Sequence, residues 1–169
     1  ARSAGARVKK GTVLLAVLAL VALVAPLLAP YAPDALDLAN RRAAPSLPHW
    51  FGTDDLGRDV FSRALFGGRV SIAIGLLSAL VAVSVGVAVG AVAGYVGGWI
   101  DAVLMRTTDA VLSMPRLLLL MVAAATLQPS VGALVLLVGA VGWMETARVT
   151  RAAVRGLAGS DYVTAAMAV

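Results

Sequence analysis

The chain contains no cysteine, so disulfides, thiolate metal sites and cysteine nucleophiles are excluded. It has one histidine, His49, which excludes any multi-histidine metal cluster. It has no GxxxxGK[ST] phosphate loop, so it does not bind ATP in the Walker manner. GxSxG and HExxH are also missing, as is any paired-carboxylate arrangement inside an apolar run. His49 follows Pro48 on what reads as an exposed loop with no evident orienting partner, so no catalytic role is expected of it. Charge is scarce, at 14% of 169 residues.

Apolar residues take its place. They make up 60% of the chain, against roughly 45–50% in soluble domains. The mean hydropathy is +0.92. A globule of this length could not hide that much apolar surface, so a bilayer is the expected solvent. The net charge of +5 then reads as positively charged cytoplasmic loops rather than as a nucleic-acid surface.

The apolar runs and their flanks divide the chain into an N-terminal cytoplasmic tail (1–11), a first span (12–32), an external loop with an amphipathic helix (33–69), a second span (70–95), a cytoplasmic connector (96–114), a third span (115–128), a fourth span with a cytoplasmic extension (131–155) and the start of a further helix (156–169). The rival reading of the first run is a cleaved signal peptide; the prolines near Ala29 and the later spans favour a retained anchor. Leu117 to Trp143 reads as one long span or two short ones. Two spans broken at Gln128-Pro129-Ser130 return Arg148, Arg151 and Arg155 to the side of the basic N-terminal tail, as the positive-inside rule requires.

The most distinctive stretch is HWFGTDDLGRDVFSRALFGGRV, residues 49–70. Thr53 or Asp54 is expected to cap a short helix over Asp55–Leu65, with Gly67 and Gly68 bending the chain into the second span. Capping and solvation account for Asp54, Asp55 and Asp59 better than a metal, because their spacing matches no calcium loop. In the second span Gly86, Gly90 and Gly94 recur every four residues with Gly75 on nearly the same side, a face on which another helix can come close. In the connector Arg106 stands three residues before Asp109, within reach of a local ion pair. Arg148, Arg151 and Arg155 share one helix face; anionic lipid headgroups are their simple partners and a protein their sharper alternative. Ser160 or Asp161 caps the helix that begins DYVTAAMAV.

Three blocks in order, FGTDDLGRDVFSRALFGGRVSIAIG (51–75), GYVGGWIDAVLMRTTDAVLSMPRLLL (94–119) and ARVTRAAVRGLAGSDYVTAAMAV (147–169), closely resemble the permeases of ABC importers, above all the C-type permease subunit of dipeptide, oligopeptide and nickel systems. The resemblance implies an all-α, polytopic helical bundle of the type I importer kind, with four of an expected six transmembrane helices present, in a bacterial cytoplasmic membrane. It implies an ATPase-coupling (EAA) helix at Asp161, Tyr162, Val163, Thr164, Ala165, Ala166 and Met167, with Thr164 in place of the usual glutamate and the motif's glycine absent. It makes Gly52, Thr53, Asp54, Gly57, Arg58 and Asp59 an external signature loop, facing the partner permease or the binding protein. Implied partners are a second, B-type permease subunit, two ATPase subunits, an extracytoplasmic substrate-binding protein and membrane lipid, with no nucleic acid. No metal, catalytic group or cofactor is expected on this chain; ATP and magnesium belong to the partner ATPase. The reading expects a longer protein, of which this sequence is a piece. Peptide is the expected substrate and nickel or a nickel chelate the alternative. Two other classes remain as alternatives: a non-transporting membrane scaffold, and a membrane enzyme, for which Ser71, Ser78 and Ser84 without a basic partner make a poor case.

Overall fold

A computed structural model describes residues 2–126 and 130–158, with side chains from residue 11 onward. Among these residues every regular element is helical, and the one extended pairing is an isolated bridge between Thr53 and Asp59. The expected all-α class therefore holds. The chain forms two compact units, Ala1–Ala73 and Ile74–Val169.

In the first unit, α1 runs Arg2–Leu23 and stops at Val24, before Pro26. A proline ring meets the carbonyl four residues earlier, so the helix breaks there and resumes as the single turn α2, Ala25–Leu28. A loop follows that contains one 3-10 turn, Leu38–Asn40, whose Ala39 N–H donates to Asp37 Oδ1 at 3.2 Å. Then α3 begins, Val60–Val96, 37 residues without a break.

This corrects the expected short helix over Asp55–Leu65. Residues 55–59 are turn and bridge, and the helix is capped by Asp59, whose Oδ2 accepts the Ser62 N–H at 2.7 Å, rather than by Thr53 or Asp54. Gly67 and Gly68 make no bend. A glycine inside a helix costs only about 1 kcal/mol, less than the unsatisfied backbone groups of two new helix ends. The bend comes at the other glycine pair, Gly97 and Gly98, at φ +66° and +57°, conformations that side-chain-bearing residues resist.

In the second unit, α4 (Gly98–Leu112) and α5 (Arg116–Thr126) meet at 83°. Pro115 disfavours a helical Met114 and ends the first of the pair. Helix α6, Val131–Ala158, is capped by Ser130, whose Oγ accepts the Ala133 N–H at 3.1 Å. Gln128 and Pro129 of the expected turn lie outside the described residues.

Four spans were expected. Two described helices, α3 and α6, are long and apolar enough to cross a membrane, and α4 with α5 makes a third if the bent pair counts as one. The apolar part of α1 with described side chains, Gly11–Leu23, is shorter than a span and ends at the break at Val24, and α5 has only 11 residues. At 1.5 Å per residue α3 is roughly 55 Å long, well beyond a hydrocarbon core of about 30 Å. Its surface is apolar and open, with Leu76 66% and Leu80 63% exposed, as suits a lipid solvent.

Candidate functional site

The signature loop of the first unit is a closed knot of hydrogen bonds. Thr53 Oγ1 donates to Asn40 O and accepts the Ala43 N–H at 2.9 Å, while its own N–H donates to Ala43 O at 3.1 Å. Asp54 Oδ1 accepts the N–H groups of Leu56 and Arg58 at 2.9 and 3.0 Å, and its Oδ2 pairs with Arg58 Nε at 2.8 Å and with Arg63. Gly52 and Gly57 sit at φ +71° and +76°. A Cβ on Gly57 would overlap Asp37 O, and one on Gly52 would overlap Ala43 O. Thr53, Asp54, Gly57, Arg58 and Asp59 thus act on one another, while Gly52 ties the loop to His49 and Val60.

His49 belongs to the same knot, which sequence reasoning missed. Its Nδ1 lies 3.0 Å from Asp59 Oδ1, its ring stacks on Tyr31 at 4.9 Å, and the two side chains of the pair are 12% and 1% exposed. Asp59 therefore does have the histidine as a partner while it caps α3. Ser62, fully buried, accepts the Tyr31 N–H at 3.3 Å. Trp50 and Phe51 both pack on Phe61, at 4.9 and 5.2 Å between ring centres.

Burial pushes the Asp54 carboxyl up, but the N–H groups of Leu56 and Arg58 and the Arg58 guanidinium outweigh it and hold the group down from 3.8 to about 2. A depressed folded value stabilises the loop fully above the unfolded value and loses that stabilisation as pH falls through the folded one. The loop should therefore hold at pH 4 and loosen progressively towards pH 2, read from Trp50 emission as the difference between the full-length protein and its Trp50→Phe variant. Asp54→Asn should remove its share of that transition; an acid response identical with and without Asp54 would contradict the assignment.

In the second unit the glycine spacing marks a real seam. Gly86, Gly90 and Gly94 are buried against α6. A Cβ on Gly86 would stand 2.6 Å from Trp143 O, one on Gly90 would overlap Ala147 O, and one on Gly94 would stand 2.9 Å from Arg151 O. The fit is mutual, since a Cβ on Gly139 of α6 would fall 2.7 Å from Val81. Ser78 Oγ adds a hydrogen bond to Val135 O at 3.2 Å. Gly75 is a correction: on the same side of α3, it is exposed with no described atom within 4 Å of its Cβ position, because the contacts with α6 begin one turn later, at Ser78 and Val135.

The basic face of α6 is also engaged within the chain, not left for lipid. Asp101 on α4 takes Arg151 in a two-pronged pair, with Nη2 at 2.6 Å from Oδ2, and Arg155 at 3.3 Å. Asp109 pairs with Arg148, not with Arg106 as its spacing had implied. Arg116 of α5 reaches Glu145 at 2.8 Å. The signal was present in the spacing: two carboxylates eight apart on α4 and arginines three and seven apart on α6. Only the pairing between helices escaped the sequence. The coupling residues Asp161, Tyr162, Val163, Thr164, Ala165, Ala166 and Met167 lie outside the described residues.

Residues 86–169 match the family model of the binding-protein-dependent transport system inner membrane component, and residues 10–45 match that of the N-terminal transmembrane domain of oligopeptide transport permease C. Among similar proteins, the dipeptide transport system permease protein DppC of Bacillus subtilis is 35% identical over 155 residues, covering 92% of this chain and 48% of that protein. The oligopeptide transport system permease protein OppC of the same organism is 34% identical over 155 residues, 92% of this chain and 51% of its own length. DppC of Haemophilus influenzae is 34% identical over 163 residues, 91% of this chain and 54% of that protein. The chain thus spans about half the length of the curated relatives it matches. With two family models along its length, and long apolar helices that those families require, the chain belongs to the inner-membrane permeases of binding-protein-dependent transport systems, as a multi-pass membrane protein.

Proposed function

We propose that this chain is part of the permease subunit of an ATP-driven importer, forming half of a pathway for dipeptides or oligopeptides and coupling to a separate ATPase through residues 161–167. The observation that carries the reading is the continuous similarity to DppC and OppC across nine-tenths of the chain. Those relatives are named for peptides, which favours peptide over a nickel chelate. In this reading the subunit itself is not an enzyme and binds no cofactor; ATP and magnesium are held by two partner ATPase subunits. A second, B-type permease subunit completes the pathway, and an extracytoplasmic binding protein delivers the peptide to the face bearing the signature loop. The charges support this orientation, since Arg148, Arg151 and Arg155 then lie on the cytoplasmic side with the N-terminal basic residues.

A docking helix biases the transport cycle only through contacts that differ between its two states. Tyr162 and Ala166 are the apolar contacts we place at its centre. In the assembled importer with the full-length subunit, Tyr162→Asp or Ala166→Asp should lower binding-protein-stimulated ATP hydrolysis and uptake by at least about fivefold, the lower end of ordinary coupling between sites. Unchanged stimulation would remove the docking role. A full-length subunit that never co-purifies with a Walker-bearing protein would point to the scaffold instead.

A further inference from the structure

The ion pairs between α4 and α6 are not an ordinary charged surface. The Asp101 side chain is 8% exposed, yet it accepts two arginines, Arg151 in two-pronged geometry and Arg155 at 3.3 Å. Eight residues towards the other end of α4, Asp109 pairs with Arg148. Numbering falls along α4 as it rises along α6, so the two helices run antiparallel over this stretch. Eight residues on α4 rise about 12 Å and seven on α6 about 10.5 Å, so the two carboxylates match the two ends of the arginine stripe, with two cations on Asp101. A slip of one turn one way would take the second cation from Asp101, and the other way would set Asp109 opposite Glu145 in place of Arg148. On its remaining flank the same segment of α6 meets Gly90 and Gly94, where no side chain keeps the backbones apart.

We propose that Asp101 is a positioning residue for energy coupling: by holding Arg151 and Arg155 it fixes the register and direction of the last turns of α6, from which the chain continues into residues 161–167. The inference rests on the docking role proposed for those residues. Asp101 touches neither substrate nor nucleotide in this scheme. It acts through α6, so that a displacement of the docking segment is transmitted to α6 and α4 together rather than absorbed by slippage between them.

The test uses the assembled importer, with the full-length subunit, in proteoliposomes, and reads ATP hydrolysis with and without loaded binding protein alongside uptake. Asp101→Asn should still assemble with the ATPase but should lower the ratio of stimulated to unstimulated hydrolysis at least about fivefold, and the exchange Asp101→Arg with Arg151→Asp should restore most of it. A merely structural role would lower both rates in parallel and leave their ratio unchanged. That result overturns the proposal, as does an exchanged pair that assembles without restoring the ratio. If Asp101→Asn does not assemble, Arg155→Gln, which removes the more exposed cation, should still lower the ratio about twofold, and an unchanged ratio there overturns the proposal. Tyr162→Asp measured in parallel separates the two claims. If it uncouples and Asp101→Asn does not, only the positioning role fails. If Tyr162→Asp has no effect, the docking role fails and the positioning role fails with it.

Discussion

Gly90→Leu is expected to force α3 and α6 apart and to be among the most damaging single substitutions in the described chain. The first added carbon already overlaps Ala147 O and stands 2.8 Å from Thr150 Cβ, and the backbone it meets belongs to a helix that cannot yield locally. Overpacking a tight interior typically costs about 1–3 kcal/mol, and a backbone obstacle puts this case at the upper end or beyond. In lipid the loss is not offset elsewhere, because helix association there rests on close van der Waals packing more than on hydrophobic exclusion. The melting temperature of the detergent-purified full-length subunit, followed by tryptophan fluorescence, should drop by several degrees or the subunit should fail to accumulate. Gly75→Leu is the control: with open space around its Cβ position it should melt within a degree or so of wild type. Equal effects at the two positions would refute the seam.

The second large effect is expected in the signature loop. Gly57→Ala places a methyl group onto the backbone of Asp37 and asks a side-chain-bearing residue to hold φ +76°. The left-handed conformation alone costs roughly 1–2 kcal/mol. The overlap cannot be relieved without moving Asp37, which caps the turn at Leu38–Asn40, and that turn supplies the Asn40 carbonyl that Thr53 holds. Trypsin cleavage at Arg41, Arg42 and Arg58 measures the opening, since proteolysis tracks the population of open states when reclosing is fast. Cleavage should accelerate about tenfold or more in Gly57→Ala, the factor expected of about 1.4 kcal/mol. Gly67→Ala, inside α3 with nothing near its Cβ position, should leave cleavage unchanged or slow it slightly. Rapid cleavage in both variants, or in neither, would mean the loop is not closed by these contacts.

Much of this architecture could be read from residue types and spacing. The membrane solvent followed from composition, since apolar residues this abundant have no other solvent, and the helical class from the length of the apolar runs and the resemblance to importer permeases. The glycine face of α3 was legible because a four-residue repeat in an apolar helix has few other uses, although Gly75 shows that the repeat does not say where the partner helix ends. Helix breaks were harder. Gly67-Gly68 and Gly97-Gly98 look alike as dipeptides, but only the second takes positive φ, and the difference lies in what flanks it: a helix already capped by Asp59 carries through the first pair. Long-range polar pairing was least legible. Asp109 has Arg106 near it in sequence and Arg148 near it in space, and a local rule selects the wrong one. His49 was misread for the same reason: its partner Asp59 is ten residues away and is brought close only by the turns at Gly52 and Gly57.

Helix α4 has an articulation at each end. At its start the consecutive left-handed glycines Gly97 and Gly98 supply a corner without side chains, and at its end the chain turns through 83° around Ser113–Pro115. Between the two corners its carboxylates are fastened to α6. In mechanical terms α4 is a link bar: stiff along its length, pinned to its neighbour, with compliance gathered at the two corners. Stiffening a corner should then limit how α4 turns against the helix beyond that corner while leaving its pairs to α6 unchanged.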